Sequence, residues 1–295
     1  MSNFILSCCS PADLTKEHFE ARDIKYIYFH YYLDEKHYYD DLFETMSANA
    51  FYQAMVDGAD TKTSQVNVAE FEEFFEAFLK EGKDVLHVTI SSGISGTYNS
   101  ACVAREILAE KYPERKIYIV DSLCAASGHG LLMDKLADLR DSGMTIDEVR
   151  DWAEANKRRM HHFVATTDLT FLIKGGRLSK TAGFVGTVLN ICPILIINKE
   201  GKLVAKEKVR TKKKALKHLP ELMEQYATDG LEYSDKCYVS HSACYEDAKQ
   251  VVEAIEARFP KLNGKVEINN IGPTIGSHTG PGTVVVFFWG AEKED

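Results

Sequence analysis

Three short polar loops hold the residues of this chain best suited to chemistry. They are Thr63-Ser64-Gln65, Ser91-Ser92-Gly93-Ile94-Ser95-Gly96-Thr97, and the run 271–282, Ile-Gly-Pro-Thr-Ile-Gly-Ser-His-Thr-Gly-Pro-Gly. The second loop follows a strand-like apolar run, Val85, Leu86, Val88 and Ile90. It precedes Ala101, Ala104 and Leu108, which fall at helical spacing. A strand–Ser/Gly loop–helix unit points free N–H groups, hydroxyls and the positive end of a helix at one spot, an arrangement suited to an anion. The third loop has four glycines and two prolines, and His278 is its only ionisable side chain. Taken singly, each loop reads as a satisfied turn.

Catalysis has one candidate pair, Ser92 as nucleophile and His278 as base, which would make a serine-dependent hydrolase or acyl-transfer enzyme. Ser92 is not in a G-x-S-x-G elbow, and no acid completes a triad. No Lys follows the Ser/Gly run as a phosphate-binding loop requires, and no dinucleotide fingerprint is present. Asp121 reads as a turn cap. We therefore assign no catalytic residue and no metal ligand.

These loops must be positioned by an ordinary globular scaffold. The chain has 295 residues, enough for about two domains of ~150 residues each. Its net charge of -9 disfavours a nucleic-acid partner. No apolar run approaches the ~20 residues of a membrane span, and the N-terminus lacks the basic and apolar parts of a signal peptide. The seven cysteines are odd in number, contain no C-x-x-C and lie mostly in apolar runs, which suits reduced thiols in the cytoplasm. His161-His162 has no ligand spacing and reads as structural.

The first half alternates strands and helices, the pattern of a covered parallel sheet. Strands are expected at 4–8, 24–31, 84–90 and 117–120. Helices are expected at 15–21, 42–56, from Asn67 onward, from about 97, at 125–140 and at 146–160. Asn67-x-x-Glu70 and Thr145-x-x-Glu148 are capping boxes. Residues 61–65 and 271–282 are expected to be loops. The second half is α+β: a strand at 162–166, a polar loop Lys174-Gly175-Gly176-Arg177, a small-residue helix at 181–189, and a hairpin of 193–198 with 203–210 turning at Lys199-Glu200-Gly201-Lys202. Helices at 212–226 and 246–258 and strands at 237–240, 266–269 and 283–289 complete it. The fold class is thus α/β, with an α/β parallel-sheet domain at 1–160 carrying the Thr63 and Ser92 loops. An α+β domain at 161–295 carries the His278 loop.

The order and wording of these motifs resemble the DegV family of bacterial fatty-acid-binding proteins. Three stretches carry the resemblance: S-S-G-I-S-G-T-Y at 91–98, K-G-G-R at 174–177, and I-G-P-T-I-G-S-H-T-G-P-G at 271–282. T-S-Q at 63–65 and V-D-S at 120–122 fit as well. The resemblance implies two domains with one long-chain fatty acid buried between them. It implies a carboxylate held by Thr63, Ser92 and His278, with Ser64, Gly93 and Thr279 beside them, and no other cofactor. It also implies a non-enzymatic carrier that presents the lipid to a separate ATP-dependent fatty acid kinase subunit for acyl phosphate formation. The chain departs from the family at its front edge. Ser7-Cys8-Cys9-Ser10 stands where D-S-T is usual, and His30-Tyr31 replaces a P-L pair. The prolines flanking T-S-Q are missing, and the run 26–39 is unusually rich in tyrosine.

One charge feature remains. Residues 206–218 contain seven Lys/Arg against one Glu, on a chain whose total is -9. Such a patch on an acidic body gives a strong charge dipole, which orients encounters. We expect Arg177, Arg210 and Lys213 to contribute to docking of the kinase.

Overall fold

A computed structural model describes residues 4–178 and 191–293. The helix expected at 181–189 lies outside the described residues.

The first sheet is four-stranded and wholly parallel. It consists of β1 (Phe4–Cys9), β2 (Ile24–Ile27), β6 (Asp84–Thr89) and β7 (Ile117–Asp121), in the order β2-β1-β6-β7. Parallel pairing requires crossovers, and the helices provide them. These are α1 (Lys16–Ala21), capped by Thr15, α3 (Val68–Lys80) and α4 (Thr97–Lys111). The capping box of α3 forms as its spacing predicts: Glu70 N–H donates to the Asn67 side chain (3.0 Å) and Asn67 N–H to Glu70 (2.8 Å). On its apolar stripe Phe71, Phe75 and Leu79 are buried beneath the sheet.

Between β2 and β6 the chain makes a second, antiparallel sheet, in the order β4-β3-β5. Its strands are β3 (His30–Leu33), β4 (Lys36–Tyr39) and β5 (Thr61–Ser64). Three expectations change here. The strand expected at 24–31 breaks after Ile27, because Phe29 N–H is taken by the Ser10 hydroxyl (3.1 Å) and its carbonyl by Asp40 N–H (2.8 Å). The tyrosine-rich run becomes a hairpin, and residues 61–64 form a strand rather than a loop. The helix expected at 42–56 starts only at α2 (Ala48–Val56), where Ser47 accepts from Ala50 N–H; Leu42 and Phe43 have positive φ.

The third sheet has six strands in the order β10-β9-β8-β13-β11-β12. Their ranges are β8 Met160–Ala165, β9 Ile191–Ile197, β10 Leu203–Arg210, β11 Tyr238–His241, β12 Glu267–Asn270 and β13 Val284–Trp289. All its pairs are antiparallel except β11 with β12. β13, with sequence VVVFFW, is buried along its whole length near the centre of the sheet. The last turn of the helix expected at 146–160 instead becomes a 3-10 turn, and Met160 opens β8.

Helix α5 (Ala126–Asp141) joins the halves. Its Ser127 hydroxyl donates to the Asp13 carbonyl (3.2 Å) and accepts from Ser240 of β11 (2.7 Å). The remaining helices are α6 (Ile146–Asn156), α7 (Thr170–Lys174), α8 (Lys212–Tyr226), α9 (Tyr245–Arg258) and α10 (Pro273–Thr279). One continuous apolar cluster includes Leu6 and Val88 of the first sheet and Phe163 and Phe287 of the third.

A buried ion cluster pins α5 in place. Asp134, 1% exposed, lies 3.2 Å from His18 Nε2 and 3.4 Å from Arg22, and also binds Lys236. Burial opposes the Asp134 charge, but hydrogen bonds from His18 and Lys236 outweigh it and hold its carboxyl well below the usual range. Asp134, then Glu267, raise His18 to about 9 from 6.5. A raised basic pKa stabilises the fold fully below the unfolded value and loses that contribution as pH rises through the folded one. Thermal unfolding should therefore show stability falling between about pH 6.5 and 9, and His18→Gln should flatten that fall. An unchanged slope in the variant would mean that His18 is not charged by Asp134.

Candidate functional site

The polar loops meet at α10. Pro at its first position suits a helix start, and the helix ends at Gly280 in a left-handed conformation (φ 68°). The expected loop at 271–282 is thus a short helix with His278 in its last turn. Strand β5 runs beside it, and Thr63 Oγ1 lies 2.8 Å from His278 Nε2. The neighbouring Thr61 hydroxyl donates to the Ser277 carbonyl (3.2 Å). The K-G-G-R turn passes against the other side of the imidazole. A Cβ at Gly175 would lie 2.1 Å from His278 Nδ1, so only glycine allows this approach.

Arg177 closes the group. It donates from Nε to the Ile94 carbonyl (3.1 Å) and from Nη1 to that of Gly175 (2.6 Å). These bonds hold a half-buried guanidinium between the S-S-G-I-S-G loop and the imidazole. Burial, then the Arg177 charge, push His278 down to about 4, so the ring is neutral at physiological pH. Among the described residues its Nδ1 has no hydrogen-bond partner.

Thr63, Ser64, Gln65, Ser95, Arg177, His278 and Thr279 line one cavity of about 360 Å³. The rest of its wall is mainly apolar and comes from two of the sheets and their loops: Phe29 and Ile90 after β2 and β6, Val164 of β8, Ile197 and Leu203 of the hairpin, and Val285 and Phe287 of β13. The volume lies within the ~300–1,000 Å³ of small-molecule sites. Among the described residues, no group of three or more His, Cys, Asp or Glu is placed to hold a metal.

The structure redistributes the sequence-based assignments. It brings Thr63, Ser64, His278 and Thr279 to the cavity. Ser92 is exposed and does not line it; its N–H donates to Asp121 Oδ1 (3.0 Å), which fixes the loop with the Ser92 side chain outward. Ser95, three residues on, lines it. Gly93 serves packing, since a Cβ there would lie 2.5 Å from the Gly201 backbone of the β9–β10 turn. Ser91 fastens that turn, donating to the Gly201 carbonyl (2.8 Å). Ser92 and His278 are therefore not brought together as nucleophile and base. Arg177, expected on a docking surface, belongs to the cavity. Arg210 and Lys213 are exposed, and Arg210, Lys208, Lys214 and Lys217 flank a shallow groove between β10 and α8. Lys174 is not free for docking, because it pairs with Asp60.

The fold and this site define a three-sheet α/β protein with a ligand-sized, largely apolar cavity and a polar cluster on its wall. The chain belongs to the DegV family: residues 10–290 match the family model described as "Uncharacterised protein, DegV family". A DegV domain-containing protein of Clostridium perfringens is 39% identical over 294 residues, covering 100% of both chains. Among solved structures, a DegV family protein from Thermus thermophilus superposes with TM-score 0.86 at 26% identity, covering 98% of this chain and 100% of that one. Another from Streptococcus agalactiae gives TM-score 0.83 at 28% identity, covering 97% and 98%. Both of these proteins are described as binding fatty acids.

The electrostatics of the site can be checked directly. In an NMR titration the His278 ring should stay neutral down to about pH 4, and Arg177→Ala should move its midpoint upward. A wild-type midpoint near the ordinary value of 6.5 would contradict the burial argument.

Proposed function

We propose that this protein binds one long-chain fatty acid, with the carboxylate at Thr63, Ser95, Arg177 and His278 and the tail in the apolar cavity. The convergence of those four side chains on one wall of a 360 Å³ cavity carries this reading. A carboxylate leaving water needs charged or hydrogen-bonding partners. Arg177 offers the charge and the Ser95 hydroxyl can donate; His278, protonated on Nε2, donates to Thr63 Oγ1 (2.8 Å), which leaves the Thr63 O–H free for the carboxylate. Ser64 and Thr279 complete the polar rim. Each CH₂ of the tail adds ~0.8 kcal/mol on burial, so a long chain dominates the affinity.

On this reading the protein is a carrier, not an enzyme. It presents the carboxylate to a separate ATP-dependent kinase, which makes the acyl phosphate. The exposed Arg210 and Lys213 then serve as a docking surface for that anionic, nucleotide-loaded partner. We place a domain boundary near residue 160, where the chain passes from the first sheet to the third. We place the protein in the cytoplasm, where its seven free thiols stay reduced.

Native mass spectrometry of the purified protein should show one bound fatty acid. Ser95→Ala and Thr63→Val should each weaken uptake by the ~1.5–3 kcal/mol of a charge-assisted hydrogen bond. Arg177→Ala should cost more, and Ser92→Ala should behave as wild type. Protein that stays apo after fatty acid is added would sink the binding reading. For docking, the Arg210→Glu/Lys213→Glu double variant should keep its lipid yet lose kinase-dependent phosphorylation. Full turnover of that variant at low salt would remove the docking role.

A further inference from the structure

The tyrosine-rich run 26–39 places two imidazoles on one face of the small sheet. His30 on β3 and His37 on β4 are diagonal neighbours, because His30 pairs with Tyr39 and His37 with Tyr32. Their rings meet nitrogen to nitrogen, His30 Nδ1 to His37 Nε2 at 3.0 Å. The other nitrogen of His30, Nε2, lies 2.9 Å from Glu70 Oε1. Glu70 is itself held, because its second oxygen accepts the Asn67 N–H at the start of α3 (2.8 Å). A carboxylate can only accept, so the His30 proton sits on Nε2 and its Nδ1 carries a lone pair. In the neutral pair, His37 donates to that lone pair.

This is the relay found behind a metal-ligating histidine: a fixed carboxylate sets the tautomer and raises the basicity of the ligand nitrogen. We propose that His30 and His37 form a two-nitrogen site for a divalent transition metal, with Glu70 as the carboxylate behind it. The metal takes the place of the hydrogen bond between the rings: the proton on His37 Nε2 passes to its Nδ1, which frees the Nε2 lone pair. It also needs a rotation of His37, which is exposed and sits at the hairpin edge. Metal–nitrogen bonds are ~2.0–2.1 Å. The His37 nitrogen now stands 3.0 Å from His30 Nδ1, so it swings aside before both lone pairs meet one ion. Imidazole suits nickel, copper and zinc. No third His, Cys, Asp or Glu among the described residues joins the pair. Solvent reaches the site through His37 and completes the coordination, so the site is open and exchangeable. Two tyrosine rings adjoin the pair: Tyr39, with its centroid 5.1 Å from those of both imidazoles, and Tyr32, 5.2 Å from His37.

The test is calorimetric titration of untagged, chelator-treated full-length protein with Ni²⁺ and, separately, Zn²⁺. One saturable equivalent is expected with each ion. His37→Ala should weaken binding tenfold or more without affecting folding, since the ring is exposed. Glu70→Gln, which keeps an acceptor for the α3 cap, should cost ~10–100-fold, the usual effect of removing the carboxylate behind a ligand. His218→Ala, a half-exposed histidine on α8, should bind as wild type. No saturable binding, or binding retained in the His30→Ala/His37→Ala double variant, overturns the site. The lipid content of the same samples, read by native mass spectrometry, tests the fatty-acid reading separately.

Discussion

The Thr63–His278 hydrogen bond joins residues 215 positions apart, and the site depends on the interface that makes it. On one side is a three-stranded sheet whose own core is only Tyr31, Phe51, Tyr52 and Met55. On the other is a helix of seven residues. Neither is long enough to be stable alone. They hold each other through bonds from side chains to backbone. The Tyr52 hydroxyl donates to the Ile271 carbonyl (2.6 Å), Thr61 to that of Ser277, and Thr274 N–H to Asp40 (3.2 Å). Each satisfies a buried polar group that would otherwise cost ~1–3 kcal/mol. Loss of the interface would separate the hydroxyl and the imidazole even if both sheets stayed folded.

The same interface sets the charge balance. Two cations side by side in a half-buried wall would repel each other. Here one is permanent, on Arg177, and the other group stays neutral because burial and Arg177 both oppose its protonation. The wall thus carries a single positive charge among neutral donors. A monoanion fits that balance, while a second negative charge would be left without a cation. The arrangement lies within a chain of net charge -9, so attraction of the proposed monoanion would rest on the local donors, not the overall field.

What could be read in the sequence was what depends on near neighbours. The capping boxes at Asn67 and Thr145 form as their spacing predicts, because donor and acceptor lie three residues apart. The β9–β10 hairpin and α8, Lys212–Tyr226, follow from turn residues and periodicity. The β5 strand was not legible. Thr61–Ser64 has no apolar alternation of its own, and it is a strand because β3 lies alongside it. Nor could the sequence choose among Ser91, Ser92 and Ser95. The choice is made by Asp121, 29 residues from Ser92, and by Gly201, 110 residues from Ser91. That Arg177 lines the cavity was not legible for a similar reason. A basic residue beside two glycines looks solvated until the Ile94 carbonyl is found against its guanidinium.

The departures at the front edge follow from the pleat of β3. Alternate side chains of a strand face opposite ways. Tyr31 turns inward and meets Phe51 edge-on, with ring centroids 5.4 Å apart, and so keeps the small sheet seated on α2. Its backbone pairs with Thr63 and holds that hydroxyl in register with His278. His30 and Tyr32 face the other way, where α3 and the β4 hairpin, not the cavity, are their neighbours. A substitution at position 30 therefore leaves the register of Thr63 unchanged, and a substitution at 31 does not. The inward face of this strand is held by its packing on α2 and by the register of Thr63, while the other face carries the His30–His37 pair.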